Sequence, residues 1–135
     1  MKSDFLNIDV GILIIRSGLG LSFVTFHGLP HLLKGPEAWK LLGYSLNYLG
    51  IYFSPAWWGF LASLFLIIGG ILLFIGYFHR FAIFLLIPVL FIALIRDFTN
   101  TGINGALYPA VILLVLIGLL YTDPGRYRLI RRRNV

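Results

Sequence analysis

The chain of 135 residues is 59% hydrophobic and only 12% charged, with a mean hydropathy of +0.93. A soluble domain carries about twice that charged fraction, so a water-soluble fold is excluded and an integral membrane protein is required. The net charge of +6 lies mostly in the terminal RYRLIRRRN and calls for no nucleic acid, while the absence of cysteine rules out disulfides, thiol relays and cysteine-ligated clusters.

Four apolar runs, over 10–29, 57–78, 81–98 and 105–121, reach the roughly 17 to 25 residues that a membrane-spanning helix needs. Stretches such as LLFIGYF and AIFLLIPVLFIALI lack the alternation of barrel strands. The expected fold is therefore all-α: a single domain over 1–135 forming an up-down-up-down four-helix membrane bundle.

The leader MKSDFLNID holds one lysine against two aspartates, and no small-x-small site follows the first apolar run. That run is expected to stay as a helix rather than be cleaved as a signal. Arg16 lies roughly 9 Å inside it at 1.5 Å per residue. A central arginine costs about 2.5–3.5 kcal/mol, and each good apolar neighbour returns about 0.3–0.6. Ile12 to Ile15, Leu19, Leu21 and Phe23 together about cancel the penalty. Arg16 is expected to snorkel toward Asp9 or Asp123, with binding of an acidic or carbonyl group as the functional alternative. Gly11, Gly18, Ser22 and Thr25 share one side of this helix and are expected to seat a neighbour closely.

The helix leaves through HGLPHLLKG. On an unbroken helix Arg16, Gly20, His27, His31 and Lys34 fall within about 60° of one line, a polar stripe. Alternatively the helix ends near Pro30 and the cluster is a membrane border. His27 and His31 have metal-chelating spacing, but Pro30 lies between them and no clear third ligand exists beyond Asp97. His79 falls at the opposite end, so neither a metal site nor intrinsic haem is expected.

Gly35-Pro36-Glu37 resembles a helix start, and the aromatics Trp39, Tyr44, Tyr48, Tyr52 and Phe53 suit a membrane interface. The stretch is expected to cap the bundle or merely to anchor it. The second span carries Gly69, Gly70 and Gly76, and only His79 and Arg80 separate it from the third, so the two form a tight hairpin. Pro88 is expected to kink the third span. That span ends in Arg96-Asp97, and Asp97 is the sole acid within any predicted span. His27, His31 and Lys34 are its expected partners, in a clasp between helices one and three, a proton relay or a head-group site.

With the N-terminus inside, seven Lys and Arg (Lys2, Arg80, Arg126, Arg128, Arg131, Arg132, Arg133) face the cytoplasm against Lys34, Lys40 and Arg96 outside. Both termini are thus expected to be cytoplasmic, with the basic tail contacting anionic lipid.

Three motifs carry a family resemblance. They are LIIRSGLGLSFVTFHGLPHLLKG, the glycine pattern Gly69, Gly70, Leu72, Leu73, Gly76 and Arg80 of the second span, and the closing DPGRYRL. Together they resemble the DoxX/DoxD-like family of small bacterial integral membrane proteins, which takes its name from subunits of a terminal quinol oxidase. The chain departs from the family's acid and histidine pattern at Phe65 to Ile68 and at Arg96-Asp97. The resemblance implies a bacterial inner-membrane protein, and an accessory subunit of a quinol-linked redox assembly rather than a stand-alone oxidoreductase. A quinone would then meet the cluster His27, His31, Lys34, Arg96 and Asp97, with Arg16 as a further binding candidate. Two other functions are carried: a scaffold or assembly factor, and a transporter of small solutes or lipid head groups. Each has a membrane-protein partner or a second copy of the chain as its expected company.

Overall fold

A computed structural model describes residues 2–122 and, for side chains, residues 8–122. The described residues are helical throughout, without strands: α1 Lys2–Ser22, a π turn Phe23–Gly28, α2 Leu29–Leu33, α3 Pro36–Gly43, a 3₁₀ turn Tyr44–Leu49, α4 Pro55–Ile75, α5 His79–Thr101 and α6 Ile103–Leu120. Among the described residues, four helices are long and apolar enough to cross a membrane, Ile8–Leu33, Pro55–Ile75, His79–Thr101 and Ile103–Leu120. The expected four-helix membrane bundle is the observed fold.

The first spanning helix does not stop at Pro30. It widens into the π turn, where Leu29 N–H donates to the Val24 carbonyl, five residues back, and then continues to Leu33. Pro30 sits in the first turn of α2. A proline has no N–H to give and its ring crowds the carbonyl four residues back. One extra residue in the turn ahead of it relieves that conflict and lets the helix run on. Gly35, at φ +85°, is the actual break.

Helix order in space follows the chain, α1 on α4, α4 on α5, α5 on α6. Gly20 and Gly70 set the α1–α4 approach. A Cβ built on Gly20 would meet Phe74 N at 2.8 Å, and one on Gly70 would meet the Gly20 carbonyl at 2.8 Å. Gly11 and Gly18, expected to seat a neighbouring helix, have nothing within 4 Å of an added Cβ. The close contact therefore falls on the opposite choice of glycine. Leu73, Ile83, Leu86 and Leu116, all at 0% exposure, form the centre of the core. In lipid such contacts hold helices together by packing rather than by removing apolar surface from water.

The segment after Gly35 continues along α4. Gly43 lies against Pro55 and Gly59 against Trp39, with no room for a Cβ at either glycine. Trp39 also packs edge-on against Phe60 at 4.9 Å. Pro36 to Leu49 is thus a cap seated on the first turns of α4, at the end of the bundle away from the N-terminus.

Candidate functional site

Under the cap, between the first spanning helix, α4 and α5, lies a cavity of about 220 Å³. Its lower walls are apolar, with Phe23, Phe65, Leu66 and Pro88 among them. Its polar atoms collect toward the cap: His27 and His31 from the first helix, Trp58 from α4, Arg96 from α5 and Ser45 from the cap itself. Leu42 and Leu46 close the roof, so the stretch expected either to cap or to anchor does cap.

His27 bridges two neighbours through its two ring nitrogens. Its Nδ1 donates to the Ser22 carbonyl at 3.3 Å, a bond spanning five residues that the π turn opens. Its Nε2 then accepts a long hydrogen bond from the Tyr108 hydroxyl at 3.4 Å, and the two rings stack at 6.2 Å with 13° between planes. Tyr108 lies on α6, so this contact closes the bundle between its first and last spans.

Arg96 and Asp97 pair with each other. The Arg96 Nε–H donates to Asp97 Oδ1 at 2.8 Å, and both side chains are about two-thirds covered, at 34% and 28% exposure. The expected clasp of Asp97 to His27, His31 or Lys34 does not form among the described residues. The adjacent arginine reaches the carboxylate first, within one turn of the same helix. Lys34 is exposed at the helix exit and does not line the cavity.

Three polar atoms at the top of the cavity are buried without a hydrogen-bond partner: His31 Nδ1, Ser45 Oγ and Trp58 Nε1. Leaving such an atom unsatisfied costs about 1–3 kcal/mol. Indole N–H and guanidinium donate only, a hydroxyl does either, and a neutral imidazole nitrogen adapts by tautomer. The set favours a guest that is apolar in body and presents hydrogen-bond acceptors such as carbonyl oxygens at one end.

Arg16 belongs elsewhere. It is 1% exposed, and its guanidinium occupies the space a side chain at Gly76 would need. Instead of snorkelling outward it is covered by the turn between α4 and α5, while Asp123, one of its expected partners, lies outside the described residues. Beside it His79, 6% exposed, hydrogen-bonds through Nε2 to the Thr122 carbonyl at 3.0 Å. The apolar core separates this end from the cavity, so Arg16 and the histidines do not share one site. Both histidines nevertheless lie on the inward side of the helix, as Arg16 and Gly20 do, one or more turns further along it.

Ser45, Trp58 and Tyr108 escaped the sequence reading. Each is a polar tip on a residue type common at membrane borders, and in KLLGYSL the isolated serine was the available signal. Among the described residues no group of three His, Cys, Asp or Glu side chains is placed to hold a metal.

Residues 11–99 match the DoxX family model, a stretch that contains every cavity-lining residue. No curated protein and no solved structure matches the chain.

Proposed function

The chain belongs to the DoxX family, and from that premise we propose that it is an accessory subunit of a quinol-linked membrane redox assembly, with its capped cavity receiving the quinone head. One observation carries the reading: an apolar hollow whose unpartnered polar atoms, His31 Nδ1, Ser45 Oγ and Trp58 Nε1, all sit at its capped end beside Arg96. A quinone fits that donor set, being an apolar ring with carbonyl acceptors. When bound, it supplies reversible electron and proton transfer at those oxygens.

The chain's own residues bind and orient. Arg96 and Trp58 donate, His31 offers a nitrogen that can hold or release a proton, and the cap keeps bulk water from the hollow. In this reading the site faces the outer leaflet of a bacterial inner membrane, with both termini cytoplasmic and the basic tail, outside the described residues, resting on anionic lipid.

The test is quinone occupancy, by native mass spectrometry of the protein released gently from its own membranes. His31→Leu is expected to lower occupancy about tenfold or more, the loss of one buried hydrogen bond and its partner's compensation. Occupancy equal to wild type would remove the cavity from the redox role. A second reading, a scaffold for a larger membrane complex, draws on Gly11, Gly18 and Gly118, where an added Cβ meets nothing within 4 Å and a partner helix could approach. It expects a co-purifying membrane subunit with no bound quinone.

A further inference from the structure

A second hollow shares a wall with the cavity. It lies between the 3₁₀ turn and the end of α5, with a volume of about 470 Å³. Leu41, Tyr44, Asn47, Tyr48 and Asn100 line it alone, while Ser45 and Arg96 line both hollows. We propose that this recess binds the phosphate of an anionic lipid headgroup, held by Arg96 and Asn100, and that the bound headgroup fastens the cap to α5.

The donors are arranged for an oxyanion. Arg96 spends its Nε–H on Asp97, which leaves the two terminal NH₂ groups of a fork suited to phosphate. Asn100 accepts the Tyr48 hydroxyl on Oδ1 at 2.8 Å, so its amide NH₂ remains to donate. Ser45 is 4% exposed, and its hydroxyl, in the wall common to both hollows, has no protein partner. Asn47 Oδ1 is likewise buried and unpartnered, an acceptor for a headgroup hydroxyl.

Charge and surroundings point the same way. The described ions at this end are Lys34, Lys40 and Arg96 against Glu37 and Asp97, a positive excess of one. The rim is apolar and open, with Leu41 72% and Tyr44 47% exposed, where acyl chains would lie. A phosphate at Arg96 would bridge the cap to α5, which the Tyr48–Asn100 hydrogen bond already joins. This goes beyond the quinone reading and does not depend on it, because Asn100 touches only the recess and His31 only the cavity.

Free inorganic phosphate shares the chemistry, so both sources are tested. The full chain, purified in a neutral detergent, is titrated with phosphatidylglycerol, phosphatidylcholine or inorganic phosphate, with binding read by native mass spectrometry and by thermal midpoint. Phosphatidylglycerol is expected to bind and to raise the midpoint, while phosphatidylcholine does not. Arg96→Gln and Asn100→Ala are each expected to weaken that binding about tenfold, as for a lost charge-assisted hydrogen bond. The basic tail is common to wild type and variants, so the difference reports the recess. Should Arg96→Gln fail to fold, Asn100→Ala carries the test. An equal response to phosphatidylcholine, or undiminished phosphatidylglycerol binding in the folded variants, overturns the proposal. Saturation by inorganic phosphate alone, lost in the same variants, overturns the lipid as its source. Because Arg96 and Ser45 line both hollows, the quinone reading is judged on His31→Leu and the lipid proposal on Asn100→Ala, residues that each line one hollow alone.

Discussion

Gly76 illustrates how much one residue settles. It has φ +79°, a conformation that other residues adopt only under strain, and its missing side chain is the space in which Arg16 sits. Gly76→Ala combines the left-handed penalty with a collision against a buried guanidinium. It is expected to destabilise the bundle by about 2 kcal/mol or more, read as a lowered unfolding midpoint in detergent. A midpoint within error of wild type would mean that Arg16 can leave that space at little cost. The neighbouring Arg80 is exposed, so of Arg16 and Arg80 only Arg16 is buried in the fold. At the other end Arg96 plays the opposite part. It is about two-thirds covered, paired to Asp97, and shared between two hollows.

Among the elements, the α1–α4 contact is the most exacting, because backbone meets backbone at Gly20 and Gly70. Gly70→Val would push against Phe23, Val24 and the Gly20 carbonyl, and is expected to cost about 1–3 kcal/mol or to abolish folding. Gly18→Leu, on α1 two residues before Gly20 and with nothing within 4 Å, is expected to shift the isolated protein's stability by less than about 0.5 kcal/mol. The pair of unfolding curves checks this, and equal effects would contradict the assigned helix faces. The π turn is the second decisive element. It carries the helix past Pro30, and within it His27 reaches the Ser22 carbonyl through Nδ1 and meets Tyr108 on α6. A proline that reads as a stop is accommodated by one residue of extra winding.

For the whole molecule, topology decides which leaflet and which aqueous side the two hollows face. The chain has no cysteine, so single cysteines introduced at Lys2 and at Lys34 report their side without background. With both termini inside, a membrane-impermeant maleimide added to intact cells is expected to label Lys34→Cys and to spare Lys2→Cys until the membrane is opened. The reverse pattern would turn the hollows toward the cytoplasm and give the anionic headgroup to the inner leaflet.

Composition alone was enough to determine the class, since a chain this apolar has no soluble fold open to it and four runs of spanning length leave one simple arrangement. Helix number and the family resemblance were legible for the same reason: both rest on apolar runs and on glycines at fixed spacing. His27, His31 and Arg96 stood out as polar residues near the ends of oily segments, and the structure brings those three to one cavity. Lys34, Arg16 and the partner of Asp97 were decided otherwise by the tertiary structure. Arg16 lies against the turn at Gly76 while His27 and His31 line the cavity at the other end, so a shared helix face does not make one site. The glycines that seat a helix, and the unpartnered hydroxyl of Ser45, are set by which backbones approach one another. That is a relation between segments distant along the chain, and no local pattern encodes it.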